Sequence, residues 1–328
     1  MARKNGRPIR RITENGIEIG VMGIYVHSGN VNLSSGNLTF TGDVLVLGNV
    51  EQGARAEAGG KLIIRGNSSD SFLLGNAGVE VDGYLIKVRA CAGLLGWFSA
   101  AALAPVRQLS ALWQMAREKN LLDENHLKLW QHAVFDLKHI YQELELEESY
   151  FYEVPAIAAH SLTSIAFFRR HRAFPQDVLR LVGLNLEKLE DKLLKMRHEQ
   201  ADLILRWAWG STLKAASSVV VTDARGCFDC GINAGGKVTI HGAVRRSWIT
   251  AHDDIRIRGE VGSPLSEEEV LLQTEPEGCV YLAKAYPGVQ VRFGRRTLEL
   301  QEETSASCFY LDRVTYKIRK TTFREWLP

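Results

Sequence analysis

The sequence predicts a mainly β protein with an α insertion. The expected architecture is a parallel β-helix, a solenoid of about 17–18 residues per coil. An antiparallel helical hairpin or small bundle interrupts it, and a short C-terminal antiparallel β cap closes it. Three observations predict this fold. Glycine-bounded apolar blocks recur at a fixed offset, a glycine-poor helical stretch separates two groups of blocks, and short alternating segments fill the C-terminal part.

The repeated block is a short apolar run between two glycines. Gly42–Gly48 recurs as Gly60–Gly66 at an offset of 18 residues, and 236–242 aligns with 254–259 at an offset of 17. Each copy predicts a strand of about five residues between turns, and this period suits one coil of a solenoid. The residues expected at the coil turns are Gly42, Gly48, Gly60, Gly66, Gly235, Gly236, Gly242 and Gly259.

The remaining β segments are shorter and less regular. Alternating runs at 17–19, 24–26 and 31–33 predict lead-in strands, and the C-terminal runs predict an antiparallel meander. The meander segments are 279–282, 289–293, 298–300, 308–311 and 314–318. We therefore expect a lead-in with the first β-helix part over 1–93, a second β-helix part over 216–263 and the cap over 264–328.

The stretch 94–215 is nearly free of glycine and has helical periodicity. Two apolar stripes with 3-4 spacing, the second running from 179 to 207, predict helices that pack along a coiled-coil-like seam. We expect a helical arm that projects from the solenoid, with roots at Pro105 and 208–211. The seam residues expected are Leu127, Trp130, Val134, Leu137, Tyr141, Leu144, Leu186, Leu189, Leu193, Met196, Leu203 and Trp207.

These blocks, in their order, resemble a known family. The glycine-bounded coils, the helical segment, the run 286–294 (Tyr-Pro-Gly-Val-Gln-Val-Arg-Phe-Gly) and the closing run 316–319 are similar to the β-helix region of the flagellar assembly protein A family. The similarity extends over roughly 30–320. The coils alone also resemble the bactofilins, which polymerise through a β-helix. The resemblance implies a non-catalytic cytoplasmic scaffold and supplies no catalytic residue.

Composition excludes some partners and favours one compartment. The net charge of +2 gives no global field for nucleic acid or membranes, and no apolar run reaches the ~18 residues of a membrane span. We read no signal peptide, and five scattered cysteines fit a reducing cytoplasm. The basic N-terminus is a solvated tail or a weak anionic contact; its charged residues are Arg3, Lys4, Arg7, Arg10 and Arg11.

No motif predicts catalysis or a cofactor. Cys227 and Cys230 form a lone C-x-x-C, which is a structural pair, a metal site or a redox pair. The acidic runs 253–254 and 267–269 are typical of turns and loops. Arg245-Arg246 beside Trp248 is too little to predict nucleic-acid binding.

These observations favour a non-enzymatic scaffold or assembly protein that associates with itself through the β-helix, the helical arm or both. The arm would bind an unidentified protein partner, and a role in flagellar or cell-surface assembly stays open. The alternative is a polysaccharide-binding or polysaccharide-active β-helix, against which we count the lack of acidic or aromatic positions that repeat along the coils. A third hypothesis is a sensor that uses the arm and the two cysteines.

Overall fold

A computed structural model describes residues 7–13, 16–119, 123–142, 153–196, 200–265 and 268–322. Among the predicted residues, Arg3, Lys4, Leu144 and Glu267 lie outside these ranges. The chain forms two compact units, Met1–Trp97 with Glu199–Pro328, and Phe98–His198.

The first unit contains the β structure. Its strands before the insertion are β1 (Arg7–Thr13), β2 (Gly16–Met22), β3 (Ile24–His27), β4 (Leu38–Phe40), β5 (Asp43–Val46), β6 (Arg55–Ala58), β7 (Lys61–Ile64), β8 (Ser68–Ser69), β9 (Phe72–Gly75), β10 (Gly78–Val81), β11 (Tyr84–Ile86) and β12 (Arg89–Ala92). The four helices are α1 (Leu94–Lys119), α2 (Glu124–Gln142), α3 (Glu153–His171) and α4 (Gln176–Met196).

After the helices the strands are β13 (Leu203–Leu205), β14 (Trp207–Trp209), β15 (Thr212–Ala215), β16 (Val219–Val221), β17 (Cys227–Phe228), β18 (Gly231–Ala234), β19 (Val238–Ile240), β20 (Val244–Arg245), β21 (Trp248–Ala251), β22 (Ile255–Val261), β23 (Val270–Thr274), β24 (Cys279–Ala285), β25 (Val289–Phe293), β26 (Arg296–Glu299), β27 (Thr304–Leu311) and β28 (Ile318–Thr322).

Strands β3 to β25 form a parallel solenoid of nine coils within the described residues. Coils three to nine each contribute to three parallel stacks, and in the first two coils Val31 and Val50 contribute to the second stack only through isolated bridges. The first stack runs β3, β5, β7, β10, β13, β16, β19, β22, β24, and the third runs β4, β6, β9, β12, β15, β18, β21, β23, β25. The second contains the short strands β8, β11, β14, β17 and β20 and then the second halves of β22 and β24. The predicted fold class, a parallel β-helix with a helical insertion, is confirmed.

The repeats found in the sequence are in hydrogen-bonded register. Val44 pairs with Leu62, and Val238 pairs with Ile255, so the offsets of 18 and 17 are those of neighbouring coils. Alternate residues point inward and stack as apolar rows. One row is Val44, Leu62, Val79, Leu203, Val219, Val238, Ile255 and Val280, all fully buried. Burial of each such side chain stabilises the fold by about 1.5–3 kcal/mol relative to exposure.

The helices are inserted between two adjacent residues of a turn that recurs in every coil around them. In the third coil this turn is Gly59-Gly60, whose amides donate to Phe40 O and Gly42 O at 2.7 and 3.0 Å. The residues in the same places of the fifth turn are Gly93, which donates to Gly75 O at 2.9 Å, and Ala201, whose carbonyl accepts from Ser217 N at 3.1 Å. The insertion, 94–200, thus lies where other coils have a single peptide bond between the two turn residues.

The second unit is a small bundle in which α3 packs against both α2 and α4. The buried side chains of α2 include Leu127, Trp130, Val134 and Leu137, and those of α4 include Leu186, Leu189 and Leu193. Trp113 Nε1 donates to Leu179 O at 2.7 Å, which ties α1 to α4, and its ring lies against Gly183. Glu153 is fully buried and pairs with Lys192 Nζ at 2.7 Å.

Three expectations about the boundaries are wrong. Leu203 and Trp207 lie in β13 and β14 rather than on a helical seam, so 94–215 is too long for the insertion and 216 too late for the second β-helix part. The 3-4 stripe of α4 runs on through 203 and 207 in the sequence, so spacing alone does not show where the helix ends. Pro105, an expected root, lies inside α1, and 208–211 lies within and just after β14.

The C-terminal meander is also only partly antiparallel. The segments 279–282 and 289–293 belong to β24 and β25, which pair parallel with β22 and β23 and so continue the solenoid. Of the described C-terminal strands, only β26, β27 and β28 join the sheets by antiparallel pairing. The register from Ile255 to Val280 spans 25 residues, and this longer coil hides the repeat.

We expect deletion of 94–200 to leave a folded solenoid, since Gly93-Ala201 would restore the two-residue turn. Far-UV circular dichroism should show loss of the helical signal with cooperative unfolding of the β structure retained. As a matched control, deletion of 93–202 removes the turn residues as well and should not fold. A deletion of 94–200 that is unfolded would show that the solenoid depends on its helices.

Neighbouring coils approach so closely at Gly66 that a side chain does not fit there without a shift, because a Cβ would lie 2.5 Å from Gly48 O and 2.8 Å from Gly48 C. We expect Gly66→Ala to lower the free energy of unfolding by about 1–3 kcal/mol, as overpacking does. Gly23→Ala is the control, since nothing lies within 4 Å of its Cβ. Urea titration measures both, and equal midpoints would contradict the packing argument.

Candidate functional site

At the N-terminal end of the solenoid, the sheets have an edge that no described strand pairs with. Strands β3 and β4 each pair on one side only, with β5 and β6, and β1 and β2 pair only with each other among the described strands. Asp43 N donates to Gly23 O and Leu47 N to His27 O, both at 2.9 Å. Because pairing alternates along a strand, the N–H and C=O groups of Ile24 and Val26 face the open side.

The two ends of the solenoid differ in charge. Strands β3 (Ile-Tyr-Val-His) and β4 (Leu-Thr-Phe) carry no Lys, Arg, Asp or Glu. At the other end, antiparallel strands cover β24 and β25, and the outermost strands, β26 and β28, carry Arg296, Glu299, Arg319 and Lys320. Charged side chains on an edge oppose pairing with another chain, whereas an uncharged edge invites it.

Cys227 and Cys230 point into the solenoid core and are buried. Cys230 Sγ lies 3.2 Å from Phe228 O, in the place where Ser211 Oγ and Ser247 Oγ donate to Trp209 O and Arg245 O at 2.9 and 2.7 Å. The cysteine thiol therefore occupies the position of a serine hydroxyl in neighbouring coils.

The two thiols share a hydrogen bond. It raises the pKa of Cys227, with burial adding to the effect, and lowers the pKa of Cys230. Burial lowers the pKa of His241, one of the two histidines nearest in sequence. Among the described residues no group of three or more His, Cys, Asp or Glu is placed to hold a metal ion.

A second pair of cysteines lies on the outer surface of the first stack, and no sequence pattern predicted it. Cys279 is on β24 and Cys308 is on the neighbouring strand β27. They are diagonal neighbours, because Cys308 pairs with Tyr281, two residues after Cys279. Burial raises the pKa of Tyr281 to about 12 and that of Cys308 to about 11. Asp254 Oδ1 accepts from Cys279 N at 3.1 Å, so this aspartate holds a strand end, as its turn position predicts. Two cysteines 29 residues apart form no recognisable motif.

Aromatic rings and guanidinium groups do repeat along the outside of the coils, which corrects the expectation that no aromatic position repeats. Tyr84 and Trp207 occupy the same place on neighbouring coils, with ring centroids 4.9 Å apart. Arg225 lies over Trp207, 4.6 Å from the ring centroid. Trp209 and Phe228 pair in the next row and are both exposed. The helical insertion puts Tyr84 and Trp207 far apart in sequence, which hides the repeat.

Asp223 fixes Arg225 against Trp207. Its carboxylate accepts from Arg225 Nε at 3.0 Å and from a second guanidinium, Arg206 Nη2, at 3.1 Å. These hydrogen bonds, Arg225 first, hold the pKa of Asp223 well below its usual range. The arrangement is a partly aromatic surface on which ion pairs fix the guanidinium groups.

Comparison with known proteins shows what the first part of this solenoid is similar to. Residues 23–90 match the family model described as the flagellar assembly protein A β-solenoid domain. The resemblance seen in the sequence is thereby confirmed for these residues. The match covers 68 of the 328 residues and runs from the start of β3 into β12, just before the insertion.

No curated protein and no solved structure matches the chain. The similarity of the coils to bactofilins stays a prediction. None of the helices in the described ranges is both long and apolar enough to cross a membrane.

The Asp223 ion pairs predict a pH dependence. In the unfolded chain the Asp223 carboxyl has a pKa of about 3.9, and in the folded protein its pKa is lower. The ion pairs therefore contribute fully to the free energy of unfolding above about pH 5, and this contribution is lost as pH falls toward the folded pKa. The stability difference between the wild type and Asp223→Asn should therefore shrink below about pH 4. Urea unfolding of both from pH 2 to 7 measures it, and a difference that does not change with pH would contradict the assignment.

Proposed function

We propose that the protein is a non-catalytic cytoplasmic scaffold that self-associates by pairing its N-terminal solenoid edges. The single observation that carries the proposal is the difference between the ends, an uncharged open edge at β3 and β4 and a charged antiparallel cap at β26 and β28. Five free cysteines support a reducing compartment. A link to flagellar assembly is supported by the match of 23–90 alone.

Edge pairing predicts a closed dimer. Two copies related by a two-fold axis would add β3 to β3 antiparallel, and continue the apolar rows through the junction. The charged caps would then lie at both outer ends and oppose further growth. The scaffold would thus be two solenoids paired at their N-terminal edges, and each copy would carry its own helical unit.

The helical unit is the proposed partner-binding element. It exposes several large apolar side chains, of which Phe135 is the most open at 56%. The others above one third exposure are Met115, Leu162, Phe167, Leu181, Leu184 and Leu194. Exposed apolar side chains on helices favour a protein partner.

Val26→Pro tests the edge, because proline removes one of the two N–H groups, those of Ile24 and Val26, that face the open side, while leaving the hydrogen bonds to β5. We expect the dissociation constant of the dimer to rise about tenfold or more by sedimentation equilibrium. Val26→Thr, which keeps the N–H and the shape, should dimerise like the wild type. Unchanged dimerisation of Val26→Pro, with an unchanged melting temperature, would overturn the edge interface.

The same measurement on the chain lacking 94–200 separates the two routes to association. Edge pairing predicts that this shortened chain still dimerises. If it is folded but monomeric, the helices rather than the solenoid edge drive association, and the arm becomes the self-association element.

A polysaccharide-binding β-helix is the second candidate, favoured by exposed Trp209 and Phe228 on neighbouring coils. Retention on an insoluble polysaccharide such as cellulose or chitin, abolished by Trp209→Ala, would favour it. Retention unaffected by that substitution would remove its support.

A further inference from the structure

Two aromatic rings stand in one outward row of the third stack: Phe72, which has guanidinium groups over it, and Trp248, which has no cation over it among the described residues. Phe72 lies in one outward row between Arg55 and Arg89, whose guanidinium carbons are 4.2 and 5.7 Å from its ring centroid. Four coils further along the same row stands Trp248, with Gly231 before it and Leu271 after it. No cationic side chain of the described residues lies over Trp248, and it is 59% exposed.

The indole of Trp248 occupies the space beside Gly231, which has no side chain to fill it. A Cβ on Gly231 would lie 2.7 Å from Trp248 Nε1 and 2.8 Å from Cε2, so the indole covers that glycine. The indole thus contacts the preceding coil, while Trp248 as a whole remains 59% exposed to solvent. A seated indole loses little freedom on binding, and its face is the most favourable one for a cation.

A cleft of about 1020 Å³ adjoins the ring, and it is acidic. Its lining includes three carboxylates, Asp229, Glu268 and Glu269, against one guanidinium, Arg246, a formal charge of −2. Asp229 and Glu269 are exposed. Such a cleft repels phosphate and attracts a positive group, which argues against nucleic acid and for a basic ligand.

We propose that Trp248 and this cleft form a docking site for an arginine-containing basic segment of a partner protein. The guanidinium would stack on the open face of the indole, as Arg55 stacks on Phe72 in the same row, and its N–H groups would donate to Asp229 and Glu269. Arginine fits better than lysine because its planar group stacks and donates in a fork at once. The site lies on coils six to nine, apart from the N-terminal edge proposed for self-association.

A fluorescein-labelled, capped hexa-arginine peptide is the probe, with fluorescence anisotropy of the full-length protein as the readout. Hexa-arginine should bind, more tightly than hexalysine, and hexaglutamate should not. Trp248→Ala should weaken binding about tenfold, and Glu269→Gln about threefold. Trp209→Ala, which removes an exposed tryptophan outside the cleft, is the matched control and should leave the affinity unchanged.

Gly231→Ala provides a test that keeps the indole, because the added methyl lifts the ring from its seat. It should weaken hexa-arginine binding several-fold with Trp248 still present. The proposal is overturned if hexa-arginine does not bind, or if Trp248→Ala and Trp209→Ala have equal effects.

The basic N-terminus of a second copy is another source of the same chemistry. A variant distinguishes this source from a separate partner protein. In it, glutamine replaces Arg3, Lys4, Arg7, Arg10 and Arg11. If a separate partner is the occupant, this variant binds hexa-arginine as the wild type does. A tenfold gain in its affinity would show that the second copy already fills the site, and would overturn the assignment to another protein.

Discussion

The fold depends on backbone hydrogen bonds that hold neighbouring coils in a constant parallel register. Each coil is too thin to bury its own apolar side chains, and only stacking at equal positions turns them into the closed rows that include Val44, Leu62 and Val79. Every interior coil is covered on both sides by its neighbours. The terminal coils are not, so the same constraint that stabilises the middle leaves the ends to be capped or paired.

The constraint also explains how a chain of this kind accommodates four helices. Gly93 and Ala201 occupy the turn places that Gly59 and Gly60 occupy two coils earlier, so the insertion begins and ends at adjacent points of the coil. An insertion whose ends already meet costs the solenoid only loop-closure entropy, which grows slowly with length. The helices bury their own apolar faces around Trp130, Leu137 and Leu186. Neither register nor core of the coils has to change.

The sequence predicts those parts of the fold in which one short-range pattern has one interpretation. Glycine-bounded blocks such as Gly60–Gly66 identified the first stack and its register. The second stack was missed because β8, β17 and β20 have two residues each, too few for an alternation to show. Leu203 and Trp207 continue a helical stripe in the sequence but lie in two separate strands, and only their pairing with β10 and β11 shows this. The Trp248 cleft joins residues from four coils, and no local pattern marks it.

The turn that follows the second stack, called the corner here, explains why the C-x-x-C spacing of Cys227 and Cys230 occurs without a metal-binding or redox role being needed for it. Asp70, Lys87, Gly210, Asp229 and Arg246 all adopt positive φ, between 43° and 58°, at the same place in successive coils. Each follows one outward residue and precedes an inward one, so inward side chains recur three apart: Ser68 and Ser71, Ala208 and Ser211, Cys227 and Cys230, Val244 and Ser247. The corner thus supplies the C-x-x-C spacing by itself.

The strain of a left-handed residue, of order 1 kcal/mol or more in a non-glycine, is offset by the ladder of amides that this corner aligns, such as Asp229 N to Arg245 O at 3.0 Å. A small polar side chain then completes the corner by bonding the carbonyl two residues back, and Cys230 does so in one coil as Ser247 does in the next.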